Sequence, residues 1–124
     1  MRSVAVTVSP PLDLAPDVFG IIADSPGLVE ARLQEWNPAD DESITAFYVC
    51  EGDPDAVVPG LETSHLIRAV SVTTFDPDRF GLLVRLDRGA DPLVEGVFAA
   101  VTSAGLIVRK PVVYRDGAVR ARLI

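Results

Sequence analysis

Cysteine, histidine and lysine occur only once each in these 124 residues, as Cys50, His65 and Lys110. A lone cysteine excludes an internal disulfide and any cysteine-based metal cluster within one chain. One histidine and one cysteine fifteen residues apart also make a poor zinc site. No apolar run approaches the roughly 18 residues needed to cross a bilayer. The N-terminus lacks the long apolar segment of a signal peptide. Glycine-rich phosphate loops are missing too, because Pro59-Gly60 and Asp116-Gly117 read as turn punctuation. The expectation is a cytoplasmic domain with no membrane contact, no cofactor and no metal.

Apolar residues make up 48 % of the chain and charged ones 23 %. A chain of this length and apolarity can bury a core without staples, and disorder is not expected. Net charge is −7 and the isoelectric point about 4.5, which opposes general nucleic-acid binding. The distribution is uneven. Residues 1–104 hold 6 Arg/Lys against 17 Asp/Glu, whereas residues 105–124 hold 5 against 1. Asp outnumbers Glu 12 to 6 and Arg outnumbers Lys 10 to 1. Such excess carboxylate suits a halophilic or GC-rich source, since it maintains solubility where salt screens repulsion.

Val4, Val6 and Val8 recur with period two and predict a strand over 2–9. Residues 10–23 read as a proline-bearing connector, apolar enough at Leu12, Leu14, Val18, Phe19, Ile21 and Ile22 to lie against the core. Ser25-Pro26 predicts a capped helix with Val29, Leu33 and Trp36 on one side. A strand over 43–51 places Ile44, Ala46, Tyr48 and Cys50 on one face. Asp53-Pro54 opens a short helix, interrupted by Pro59-Gly60. Strands follow at 65–75 and 79–87, joined by an Asp76-Pro77-Asp78 turn. Asp91-Pro92 starts a helix that Gly105 ends. Residues 106–114 and 118–124 form a hairpin about Asp116-Gly117. The expected fold is therefore α+β, a mainly antiparallel sheet with helices packed on it, containing a ferredoxin-like βαββαβ unit within residues 43–114.

Several stretches resemble one known group. They are the opening residues 1–8, the segment Leu33-Gln34-Glu35-Trp36-Asn37, the run Tyr48-Val49-Cys50-Glu51-Gly52-Asp53-Pro54-Asp55, and the end Tyr114-Arg115-Asp116-Gly117-Ala118-Val119-Arg120. Together they are similar to the N-terminal regulatory region of haloarchaeal helix-turn-helix transcription regulators of the bacterioopsin-activator (Bat/DmsR-like) type. That resemblance implies a domain that senses a ligand or dimerises, with DNA read by a C-terminal helix-turn-helix absent from these residues. The apolar ending Ala121-Arg122-Leu123-Ile124 reads as an excised domain, a stand-alone relative being the alternative.

No residue set here matches acid and base for catalysis, so no enzyme is expected. Trp36, Tyr48, Cys50 and His65 are the candidates for lining a ligand pocket. Each also has a plainer reading. Cys50 sits beside Glu51 and Asp53, which disfavour a thiolate, and reads as a buried structural cysteine. Ser64-His65 adjacency is no dyad, because catalytic pairing is spatial. Periodic aromatics such as Trp36, Phe47, Tyr48, Phe80 and Phe98 suit a core. The acidic groups 40–42, 51–55 and 76–78 lack the spacing of a calcium loop and read as caps and turns. Arg109, Lys110, Arg115, Arg120 and Arg122 make the terminal hairpin basic, and a β-ribbon with Arg120 and Arg122 on one face can enter a DNA major groove. The acidic field of the domain favours instead a solvated strand edge protected from pairing, or contact with an acidic neighbouring domain. The expected function is a regulatory N-terminal domain of a transcription regulator. It would form a homo-oligomer through the edge left by residues 118–124, with a possible small-molecule effector. The alternatives are a small ferredoxin-like enzyme of the cofactorless monooxygenase kind and a purely structural dimerisation module.

Overall fold

The cleanest alternation in the sequence becomes a strand one place in from the edge of the sheet. In a computed structural model that describes residues 3–9, 17–40, 42–88 and 99–124, Arg79–Asp87 is extended, with Phe80, Leu82, Val84 and Leu86 all buried. Numbered along the chain, the strands are β1 (Val4–Val8), β2 (Leu28–Pro38), β3 (Ser43–Gly52), β4 (Ile67–Asp76), β5 (Arg79–Asp87), β6 (Val108–Arg115) and β7 (Ala118–Leu123). Two short helices lie wholly within the described residues, α1 (Asp17–Ala23) and α2 (Val58–Thr63). All seven strands join one sheet in the order β1-β7-β6-β2-β3-β5-β4. Every neighbouring pair is antiparallel. An α+β class fits this arrangement.

Three expectations need correction. The segment after Ser25-Pro26 is not a helix but the long strand β2. Its register slips between Leu28 and Glu30 and again between Leu33 and Glu35. Each slip inserts an extra residue and re-aims the side chains beyond it, so Trp36 returns to the core side three residues after Leu33. A strand with such bulges reproduces the spacing of a helix face. The ferredoxin-like unit in 43–114 is not confirmed either. Strands β3, β5 and β4 lie in its order, but β2 occupies the place beside β3 that β6 would need. Finally, β7 leaves no open edge, because β1 pairs along it from Val4–Leu123 to Val8–Val119.

The connector at 10–23 is helical over its described part. Its α1 buries Val18, Phe19 and Ile22, which contributes about 1.5–3 kcal/mol for each side chain fully removed from water. Asp53 caps a 3-10 turn at Pro54–Ala56, its carboxylate accepting from the Asp55 amide. Pro59 does not end that helix; it occupies the first turn of α2, where a missing N–H costs nothing. The expected start at Asp91-Pro92 lies outside the described residues. Residues 99–103 are helical and end as expected, with Gly105 at φ +77°. The Leu106 amide donates to the Val101 carbonyl and the Gly105 amide to that of Thr102, the paired bonds of a Schellman cap.

The helices cover one face of the sheet, where Leu33, Tyr48, Leu82, Tyr114 and their neighbours meet α1 and α2. Neither of the described helices α1 and α2 covers the opposite face, which has two characters. Across β3, β5 and β4 it is apolar, with Phe75 and Leu83 about half exposed. There Phe47 and Phe75 close over Gly81, where a Cβ would come within 3.0 Å of both rings. Across β2, β6 and β7 it is basic.

Candidate functional site

The basic half of the opposite face is built by a tight hairpin. Asp116 at φ +53° and Gly117 at φ +71° supply the two left-handed residues of a type I′ turn, whose twist matches the strands it joins. Register then fixes which side chains share a face. Arg109 lies opposite Arg122, and Arg120 opposite Val113. Val113 in turn pairs with Arg32 on β2, so Arg120 and Arg32 flank it roughly 10 Å apart, two strand spacings. The bulge after Leu28 sets Glu30 on this same face, two residues before Arg32.

Glu30 is 8 % exposed. Its carboxylate accepts from Arg32 Nε at 2.7 Å and lies 3.6 Å from Arg115 Nη1. Removing either guanidinium from a buried carboxylate leaves charge poorly compensated, so the trio holds its geometry. Beyond it opens a shallow depression of about 600 Å³, lined by Arg32, Arg109, Lys110, Arg115, Arg120 and Arg122 with Thr7 at its rim. Among the described residues Arg109, Lys110, Arg120 and Arg122 make no ion pair. Arg122 only donates to the Ser3 hydroxyl at 3.4 Å. A second hollow of about 380 Å³ adjoins the first at Glu30, Arg115 and Asp116, and is walled on its other side by Phe19, Ile22 and Tyr114.

A family model described as HVO_0513_N, N-terminal, matches residues 17–124. The chain belongs to that family. Its name is haloarchaeal, in keeping with the acidic, arginine-rich composition. The match takes in everything from α1 to β7, and β1 lies before it. No curated protein and no solved structure matched the chain.

In this HVO_0513_N domain the four pocket candidates do not converge. Tyr48 is fully buried and meets Tyr114 edge-on, with ring centroids 5.8 Å apart at 82°. Cys50, on the same face of β3, is 1 % exposed, and burial pushes its thiol up to about 12. Trp36 is half-buried against the same core. His65 is exposed in the turn after α2. It precedes the end of β4 that aligns with Ile44 through Leu86, whereas Cys50 lies at the other end of β3. These residues pack the helix-covered face and its margin; they do not line the basic depression.

The acidic groups have structural partners. Asp40, Asp53 and Asp76 each accept the backbone N–H two residues on, the local turn that aspartate favours. Asp40 also accepts from the Ser43 amide and hydroxyl and from Arg85. Bonds from the Glu42 amide and the Ser43 hydroxyl, with Arg85 adding to them, hold its carboxyl at about 2. Among the described residues no helix is long and apolar enough to cross a membrane, and no group of three metal-ligating side chains gathers.

Sequence reasoning singled out the five cations of the terminal hairpin but placed them on an edge. Glu30 and Arg32 were hidden by reading their segment as a helix. Their signal was present, since Glu30 and Arg32 alternate with Ala31 and Leu33 in the period of a strand.

Proposed function

We propose that this chain is the N-terminal regulatory domain of a haloarchaeal transcription regulator of the bacterioopsin-activator (Bat/DmsR-like) type. In this reading it senses a ligand or associates with a second copy, and leaves DNA reading to a C-terminal module. The observation that carries the reading is the match of residues 17–124 to a haloarchaeal family described as N-terminal. Charge supports the division of labour. Affinity for DNA grows with the number of phosphates a protein neutralises, and residues 1–104 carry nearly three acids for each base. A second copy would add to an outer strand, β1 or β4, because β7 is paired on both sides.

The test compares DNA binding by the 124-residue chain with binding by the same chain joined to a helix-turn-helix module, each at low and high salt. The expected result is sequence-specific binding by the joined protein only. Sequence-specific binding by the 124 residues alone would overturn the reading.

A further inference from the structure

The arginines of the terminal hairpin have no explanation as edge protection, because β1 covers the edge beside them. They are also not spread as a solvated face would spread them. Arg109 stands directly across from Arg122, and like charges directly opposed across two strands are destabilising. Arg120 follows on the same face, and Lys110 lines the same hollow. Four cations without a carboxylate partner among the described residues thus surround one depression. Its volume, about 600 Å³, falls within the roughly 300–1,000 Å³ of small-molecule sites. Glu30 meanwhile fixes Arg32 and Arg115 at its wall.

We propose that this depression binds a compact polyanion of the oligophosphate class. Guanidinium forks match phosphate oxygens bidentately, which favours arginine over lysine at such a site, and five of the six cations here are arginine. The charges lie along an arc over β2, β6 and β7, so a single phosphate reaches only part of it. A chain of phosphates spans it and relieves the Arg109–Arg122 repulsion. None of the described lining residues is aromatic, so a nucleobase finds no ring to stack on, and the guanidinium planes that stack on bases are engaged here by phosphate. The phosphate chain is therefore what the site recognises, whether free or as the tail of a nucleotide. This gives a chemical class to the ligand in the regulatory reading and rests on its ligand-sensing form. The site itself is tested without DNA reading.

Calorimetric titration of the full chain with sodium tripolyphosphate is the test, in about 0.15 M KCl, where charges interact over roughly 8 Å. Tripolyphosphate is expected to bind at one site, at least about tenfold more tightly than orthophosphate, because it engages more charge-assisted contacts. A nucleoside triphosphate should bind within about threefold of tripolyphosphate, since no aromatic ring is there to hold the base. Arg120→Gln with Arg122→Gln should weaken tripolyphosphate about tenfold or more, with an unchanged circular dichroism spectrum. Arg79→Gln, on the far hairpin, should change nothing. Arg109→Gln serves as a second variant should the double substitution fail to fold. Absence of tripolyphosphate binding up to about 5 mM, which means a free energy weaker than about −3 kcal/mol, would overturn the proposal. So would an equal loss in Arg79→Gln, or a nucleotide preference above about tenfold. Duplex DNA that binds the chain and is not displaced by tripolyphosphate would also overturn it, in favour of DNA docking. Failure of this site leaves the comparison of DNA binding with and without a helix-turn-helix module standing, because that comparison contains no oligophosphate.

Discussion

Substituting Gly52 by alanine should be among the most damaging single-methyl changes available in this domain. Gly52 ends β3 at φ +131°, a conformation that side chains rarely adopt. An added Cβ would lie 2.5 Å from the Gly27 carbonyl oxygen, 2.9 Å from Leu28 Cα and 3.0 Å from the Val29 nitrogen. All three are backbone atoms, so no side chain can swing aside. The backbone strain costs about 1–3 kcal/mol, and forcing the strands apart adds about 1–3 kcal/mol. The expected loss is about 2–6 kcal/mol, a large part of the roughly 5–15 kcal/mol that stabilises an ordinary domain. Gly105→Ala is the control. Gly105 also has positive φ, +77°, but its Cβ would meet nothing within 4 Å, leaving only the left-handed cost of about 1–2 kcal/mol. Urea unfolding followed by circular dichroism reads the difference. With a slope of about 2 kcal/mol per molar urea, the midpoint should fall by about 1–3 M for Gly52→Ala and by less than about 1 M for Gly105→Ala. Equal midpoints for the two variants would show that the approach of Gly52 to β2 does not constrain the sheet.

Two further predictions concern titration. The carboxyl of Asp40 stands at about 2 in the fold against 3.8 unperturbed. A depressed folded value means that its stabilisation is present above pH 4 and is lost as pH falls through about 2. Asp40→Asn should therefore flatten the acid limb between those values, read as urea midpoints at successive pH; an unchanged slope counts against the Glu42–Ser43–Arg85 cage. The thiol of Cys50, pushed up to about 12 by burial, should resist iodoacetamide at pH 8 in the native protein and react as urea unfolds it. Rapid alkylation without denaturant would mean that β3 is open to solvent.

Much of the sheet was legible because its strands obey a strict period of two. The inward set Phe80, Leu82, Val84 and Leu86 and the set Ile44, Ala46, Tyr48 and Cys50 are both buried as their alternation implies. Turn chemistry was legible for a similar reason, since Asp116-Gly117 and Gly105 take the positive φ values that their residue types favour. What misled was β2. Val29, Leu33 and Trp36 fall on a helical stripe, but two register slips produce that spacing within a strand. Residues 17–23 erred the other way. Their helix has 7 residues, too few to stand without the sheet it packs on, so its periodicity was too brief to separate from a connector.

The candidate site failed to emerge from sequence because it depends on strand order, which local patterns do not carry. Five cations in residues 105–124 can guard an edge, face solvent or line a hollow, and these differ only in what lies beside them. Two long-range pairings decide among the three. The pairing of β1 with β7 removes the edge, and the pairing of β2 with β6 brings Arg32 and Glu30 to the same face. Both join residues dozens of positions apart, with Thr7 beside Arg120 and Arg32 beside Val113. Each added strand therefore changes the electrostatic problem. An isolated hairpin would let these arginines splay past its open edges into water, where salt screens them within about 10 Å. The hairpin's own register sets Arg109, Arg120 and Arg122 on one face, and β1 and β2 on either side close the edges over which they could splay. There the direct opposition of Arg109 and Arg122 is unfavourable unless an anion lies between them, and that requirement motivates the oligophosphate titration.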